Sequence, residues 1–240
     1  MWDGLRRAKQ HVVDGLQPLI PQGYATNRGP ILATLSRGRM SRSRGGTLPI
    51  EVVKRVVDEA GAALERIDLF NYGEPFLYRH LVEALRHIRT RSPRTRIQIA
   101  TDGLQVRPSI EATIVEERLL DEIIFSVDGV DQDTYGRYRI RGSFHDAFGN
   151  LVRFNECARG TGISVIWQYV VFAWNDTDTH LRRAMAMAAE AGLQLQFDFA
   201  YTVGPFATNA EGVGVSAAAL KATNRPPRRA PLRRRRLDSA

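Results

Sequence analysis

The 240-residue sequence contains a single cysteine, Cys157, and only three lysines beside 31 arginines. One cysteine excludes an internal disulfide and any metal site built from several cysteines of this chain. No apolar run approaches the ~20 residues that a membrane-spanning helix needs, so we expect no contact with a membrane. The first twenty residues also lack the continuous apolar segment of a secretory signal, which favours a cytoplasmic location.

The positive charge is concentrated at the end of the chain. The formal net charge is +8, and residues 225–240 hold seven arginines and one aspartate, a net of +6. The Arg- and Pro-rich composition of this stretch favours a disordered, low-complexity tail over 206–240. Its residues 225–236 could neutralise phosphates without sequence preference, but they hold no aromatic residue to stack on bases. We therefore expect no specific nucleic-acid partner, and nonspecific nucleic-acid binding stays an alternative.

The body of the chain alternates helix and strand patterns. Strand-like segments begin near residues 67, 97, 123, 163 and 193, and a weaker one covers 19–26. Amphipathic helical patterns lie between them, including Ile50 to Leu64 and Leu77 to Ile88. Repeats of this length predict an α/β fold with parallel strands and right-handed crossovers. The pattern alone leaves open a doubly wound sheet and a full or partial barrel.

Polar residues follow the predicted strands, where parallel α/β folds bind their ligands. Glu74 follows the first of these strands, Asp102 the second, and Asp128 the third, with Arg139 eleven residues further on. A carboxylate can accept hydrogen bonds from a ligand amine, and an arginine can hold a carboxylate with its planar fork. Each motif taken alone also fits an ordinary turn, a helix cap or a surface arginine.

Taken together, these motifs resemble the radical S-adenosylmethionine (radical SAM) superfamily over residues 26–203, and most closely its SPASM/twitch branch. Tyr72-Gly73-Glu74-Pro75 is similar to the Gly-Gly-Glu-Pro motif that meets the amino group of S-adenosylmethionine (SAM). Thr101-Asp102-Gly103 is similar to the Thr-Asn-Gly segment near the nucleoside.

The later strands carry the rest of the resemblance. Ser126 and Asp128 match the family's Ser-Ile-Asp-Gly segment, and Arg139 matches the arginine that holds the SAM carboxylate together with that serine. Gln168 lies in a strand, followed by Asn175, that also looks like this branch. The resemblance implies that these residues bind SAM as a cofactor.

The resemblance also implies a fold and a reaction. The family fold is a partial (β/α)6 barrel of parallel strands, expected here over 19–205 after an N-terminal extension at 1–18. Family members cleave SAM reductively at a 4Fe-4S cluster, and the resulting 5′-deoxyadenosyl radical abstracts hydrogen from a substrate. For this chain the substrate would be an unidentified small molecule or peptide.

The sequence departs from the family at the loop that holds the cluster. The three positions of the Cys-x3-Cys-x2-Cys motif fall on Gly29, Ala33 and Ser36, none of which is a thiolate ligand. Cys157 lies about 120 residues downstream, where we expect a buried small side chain, and the five histidines form no ligand cluster in sequence. We therefore expect impaired cleavage of SAM, with a non-catalytic SAM-binding or scaffold protein as the alternative.

Overall fold

Six parallel strands form one sheet, and they lie in it in the order in which they occur in the chain. The computed structural model describes the backbone of residues 31–32 and residues 47–61, 64–70 and 73–199. The strands are β1 Ile31–Leu32, β2 Arg66–Asp68, β3 Arg96–Thr101, β4 Glu122–Ser126, β5 Ser164–Val171 and β6 Gln194–Phe199. The helices are α1 Ile50–Ala60, α2 Leu81–Arg91, α3 Pro108–Glu116, α4 Gln132–Gly136, α5 Phe144–Ala158 and α6 Asp178–Ala191.

The strand order decides between the alternatives that the sequence left open. A doubly wound sheet reverses its strand order and carries helices on both faces. Here each crossover leads to the next strand in the same direction, so right-handed connections place the helices on one face. The chain therefore forms the partial barrel of parallel strands that the resemblance implied, and strands β2 to β6 begin within one residue of the predicted positions, whereas β1 was not predicted.

The two faces of the sheet differ in chemistry because successive strand residues point to opposite sides. The outer face packs apolar side chains such as Ile99, Phe125 and Trp167 against helix residues such as Leu85 and Leu151, and all of them are buried. This layer is the hydrophobic core and fixes the positions of the strands.

The inner face is polar at its two ends, and Ala100, Ile124 and Ile166 lie between them. At its amino end, Arg66 pairs with Asp68 and also donates to Gln98, and Arg96 pairs with Glu122 at 2.5 Å. Asp68 and Gln98 are each only 3 % exposed. Buried charges of this kind are tolerated because they are paired and hydrogen-bonded. The polar groups at the carboxyl end of this face are therefore the candidates for contact with a ligand.

Three local expectations were wrong. Helix α1 ends at Ala60 instead of continuing to Leu64, because Gly61 takes a positive φ of 51°. Leu77 belongs to a short 3-10 turn and is 63 % exposed, so α2 begins only at Leu81. Cys157 is exposed, because the buried stripe of α5 passes through its neighbour Ala158.

Among the described residues, no helix has both the length and the apolar content that spanning a bilayer would require. The predicted strand at 19–26, the proposed N-terminal extension and the tail at 206–240 lie outside the described residues.

Candidate functional site

The carboxyl ends of the parallel strands bring the predicted ligand residues to one edge of the sheet. Glu74 follows β2, and Thr101 ends β3. Ser126 ends β4, and Gln168 lies opposite it on β5. Tyr72 lies outside the described residues, whereas Gly73 and Pro75 flank Glu74 in the loop after β2. The structure thus brings to one edge residues that lie almost a hundred positions apart in the sequence.

Glu74 connects the loops that follow β2 and β3. Its Oε1 atom accepts hydrogen bonds from the Phe76 amide at 3.0 Å and from the Thr101 hydroxyl at 2.8 Å. Its Oε2 atom accepts from the Asp102 amide at 2.9 Å. Burial, together with the nearby Asp102 charge, raises the pKa of Glu74 to about 7. Glu74 therefore changes charge near neutral pH.

The segment after β3 is shaped by its own side chains. The Thr101 hydroxyl accepts from the Gly103 amide at 3.0 Å, and Asp102 Oδ1 accepts from the Leu104 amide at 2.9 Å. Gly103 has a φ of 79°, a conformation that glycine adopts without strain. Thr101 is only 3 % exposed, and its hydroxyl orients the Glu74 carboxylate from the buried side of the site.

A second hydrogen-bonded chain runs across β4, β5 and β6. The Ser126 hydroxyl donates to Gln168 Oε1 at 2.8 Å, and Gln168 Nε2 donates to the Asp198 carboxylate. Gln196 Nε2 donates to the same carboxylate at 3.1 Å. Asp198 forms no ion pair with any cation among the described residues. Among the residues that the structure describes, the Asp198 carboxylate is therefore held by the amide groups of Gln168 and Gln196.

Asp128 and Arg139 form an ion pair at the end of β4. Asp128 Oδ2 lies 3.0 Å from both Nε and Nη2 of Arg139, and Asp128 Oδ1 accepts from the Val170 amide at 3.0 Å. Burial raises the pKa of Asp128, while Arg139 and the Val170 amide oppose that rise. Burial lowers the pKa of Arg139, but the charge and hydrogen bond of Asp128, together with Tyr138 and Asp102, outweigh it and the net change is upward. The arrangement keeps Arg139 charged.

Asn175 ties the loop after β5 to the loop after β4. Its Nδ2 donates to the carbonyl oxygens of Asp128 and Val170, each at 3.1 Å, and its Oδ1 accepts from the Phe172 amide at 2.6 Å. Asn175 is completely buried. The two loops are thus joined through side-chain bonds to backbone, a type of contact that makes their relative position well defined.

Asp198 and Gln196 are residues of this edge that sequence reasoning missed. The segment Gln194–Phe199 alternates polar and apolar residues, and only its strand character was recognised. The alternation predicts that the polar side chains share one face. That face turns out to be the inner one, which is why Asp198 reaches Gln168.

A 4Fe-4S cluster does not fit the ligands that this chain supplies. Cluster irons are held by cysteine thiolates, and the single cysteine lies on an exposed part of α5. No group of three or more His, Cys, Asp or Glu among the described residues could hold a metal ion. His80 and His87 are partly exposed, and they pair with Glu83 and Asp58. Positions Gly29, Ala33 and Ser36 lie outside the described residues.

Comparison with solved structures finds similar folds. A radical SAM methyltransferase from Sphaerobacter thermophilus matches with a TM-score of 0.54 and 18 % identity, covering 81 % of this chain and 62 % of that one. Native anSMEcpe with bound AdoMet and Kp18Cys peptide matches with a TM-score of 0.52 and 17 % identity, covering 76 % and 56 %. The methyltransferase TsrM from Kitasatospora setae, with cobalamin and a [4Fe-4S] cluster bound, matches with a TM-score of 0.54 and 14 % identity, covering 71 % and 34 %.

The chain spans less than two thirds of the length of each of these proteins. No family model matches the chain, and no curated protein matches it either. The structural likeness, together with the sequential parallel sheet, shows that this chain has the fold of the radical SAM enzymes.

Proposed function

We propose that the protein binds SAM at the carboxyl edge of the sheet, as a radical SAM-type protein of the SPASM/twitch-like branch whose own residues do not support cleavage of SAM. The observation that carries the proposal is the convergence of Glu74, Ser126 and Arg139 on that edge. These are the positions that match the family's contacts to the amino acid half of SAM, and they are intact although the cluster cysteines are replaced.

The charge of the edge suits SAM. Glu74, Asp102 and Asp198 place carboxyl groups at its strand ends and loops, and Arg139 is paired with a further one, on Asp128. SAM has a sulfonium, an ammonium and a carboxylate, a net charge of +1 when all three are ionised. Carboxyl groups beside a paired arginine are complementary to such a ligand.

Three side chains would hold the amino acid half. An ionised Glu74 would accept hydrogen bonds from the ammonium, and Arg139 with Ser126 would donate to the carboxylate. Ser126 now donates to Gln168, so its hydroxyl would have to rotate toward the ligand.

The nucleoside half would lie along the remaining polar groups of the edge. Asp102 follows β3, and Gln168 points its amide along the inner face of β5. Thr101 would act on the ligand only through Glu74, because it is almost fully buried.

The reaction of the family depends on a reduced cluster, which supplies the electron that breaks the sulfonium bond. This chain alone offers no thiolate set for it, so we propose binding and orientation of SAM without reductive cleavage. A small molecule or peptide would then be a binding partner rather than a substrate of this chain acting by itself.

Titration calorimetry with SAM tests the proposal directly. Without chelation by an iron, a Kd between about 1 μM and 1 mM is expected. Replacing Arg139 by alanine removes charge-assisted hydrogen bonds worth about 1.5–3 kcal/mol, so the Kd should rise at least about tenfold.

The matched control is Arg137→Ala, an exposed arginine two residues away that forms no ion pair among the described residues. Its SAM affinity should equal that of the unmodified protein. Equal losses in both variants, or no SAM binding by the unmodified chain, would contradict the proposed site.

The affinity for SAM should also depend on pH through Glu74. Its pKa of about 7 means that the free protein carries a protonated, neutral Glu74 below that pH. The ammonium favours the ionised form, so binding must remove a proton at low pH. Linkage then predicts that SAM binds roughly 25-fold more weakly at pH 5.5 than at pH 7.5.

Glu74→Gln separates this effect from other titrations. The variant should bind SAM weakly at every pH, with little slope between pH 5.5 and 7.5. An unmodified protein with a flat profile would show that Glu74 does not face the ammonium.

A further inference from the structure

Asp128 is too deeply enclosed to touch a ligand. It is fully buried, and its two carboxylate oxygens accept hydrogen bonds from the Val170 amide and from Arg139 Nε, while Oδ2 also lies 3.0 Å from Arg139 Nη2. Its backbone carbonyl is held as well, by Asn175. The resemblance groups Asp128 with the SAM-binding residues, but its contacts point to the neighbouring arginine instead.

The guanidinium of Arg139 is held in one orientation. Asp128 Oδ2 contacts the Nε and Nη2 atoms of Arg139, which form one edge of the planar guanidinium group. The central carbon of the guanidinium lies 5.0 Å from the centroid of the Tyr138 ring, and that ring packs on Phe172 at 4.8 Å. The Arg139 side chain is nevertheless 27 % exposed. Its Nη1 atom and the second N–H of Nη2 form the edge that Asp128 does not use.

We propose that Asp128 is a positioning residue that presents the Nη1/Nη2 edge of Arg139 to the carboxylate of the ligand, an inference that rests on the proposed binding of SAM. A carboxylate offers two oxygens that match two parallel N–H groups, whereas chloride is a single atom and cannot accept both in the same way. Asp128 also cancels the charge of Arg139. Recognition then depends on the direction of the N–H groups more than on net charge, which selects a carboxylate over chloride.

The experiment compares two ligands in calorimetry. SAM has the carboxylate, and 5′-methylthioadenosine has the nucleoside and sulfur but no amino acid group. Asp128→Asn keeps the size of the side chain but removes the charge that orients Arg139. We expect SAM to bind about tenfold more weakly, while the affinity for 5′-methylthioadenosine stays within about twofold.

Salt gives a readout that a purely structural role would not change. In Asp128→Asn the arginine keeps an uncompensated charge, so chloride should compete with SAM more strongly than in the unmodified protein.

Arg139→Lys should lower SAM affinity to a similar extent, because lysine lacks the planar pair of N–H groups. Adding Asp128→Asn to Arg139→Lys should have little further effect on SAM affinity.

Asp131→Asn is the matched control, since Asp131 lies in the same loop and caps α4 through the Thr134 amide. It should leave the ratio of the two affinities unchanged. Loss of both ligands in Asp128→Asn would make Asp128 a residue of general stability and overturn the proposal, and so would an unchanged ratio. Failure of the unmodified protein to bind SAM, with 5′-methylthioadenosine still bound, would overturn the proposed function as well.

Discussion

Replacing Gly29, Ala33 and Ser36 together by cysteine is expected to turn a protein that binds no iron into one that binds about four irons per chain after anaerobic reconstitution. The reason is the spacing of these three positions, which is that of the family's cluster loop, x3 and then x2. Thiolates at such a spacing can wrap around one cubane. The flanking residues Thr26-Asn27-Arg28 also resemble the residues that precede the first cysteine of that loop in family members. Iron analysis and the iron–sulfur absorbance band measure the outcome.

The unmodified protein, reconstituted in parallel, is the first control and should stay colourless. A double variant, Gly29→Ser with Ala33→Ser, places serine at all three positions because residue 36 is already serine, and it controls for changes in the loop. A folded cysteine variant without colour would refute the placement of the vacated positions. An unmodified protein that turns brown with stoichiometric iron would refute the conclusion that this chain lacks cluster ligands.

Adding one methyl group at Gly129 should disrupt the site more than any other glycine substitution in the described residues. A Cβ atom there would lie 2.5 Å from the Tyr135 amide nitrogen, 2.7 Å from Thr134 Oγ1 and 2.8 Å from the Tyr135 Cα. Two of these three atoms belong to backbone, which cannot rotate away. Gly129→Ala should therefore push α4 off the end of β4 and cost about 3 kcal/mol or more of unfolding free energy. Urea denaturation measures this loss.

Gly149 is a glycine at which an added methyl group should stabilise the protein. It lies within α5, and a Cβ atom there would meet nothing within 4 Å. Alanine is a better helix former than glycine, so Gly149→Ala should raise the unfolding free energy by about 0.5–1 kcal/mol. It should leave SAM binding unchanged, whereas Gly129→Ala should weaken it, because Arg139 follows α4 directly. A Gly129→Ala variant with unchanged unfolding free energy would contradict the close approach of Gly129 to the Tyr135 backbone.

Much of the fold could be predicted because its signals are local. The Ile-, Val- and Phe-rich strands and the apolar stripes of the helices each lie within a few residues, and the strand starts followed from them. The partial barrel could not be predicted from these local signals, because the order of the strands in the sheet depends on how distant helices and strands pack against one another. The resemblance made that choice, and the sheet order confirmed it.

The candidate site was predictable only where a short motif marks it. Glu74 and Ser126 stand in such motifs, and their side chains lie at the expected edge. Asp198 stands in no motif, and its proximity to Gln168 depends on a register between two strands 30 residues apart. The burial of Asp128 was equally invisible in sequence, because it results from packing against the loop after β5.

The polar contacts at the amino end of the inner face also help to fix the register of the strands. Arg96 of β3 pairs with Glu122 of β4, and Arg66 of β2 pairs with Asp68 and donates to Gln98 of β3. A shift of one strand past its neighbour by a single residue would move a whole set of side chains to the other face of the sheet. It would also separate these partners and leave the buried Gln98 amide without its donor. The contacts at one end of the strands therefore help to keep the residues at the other end level with one another.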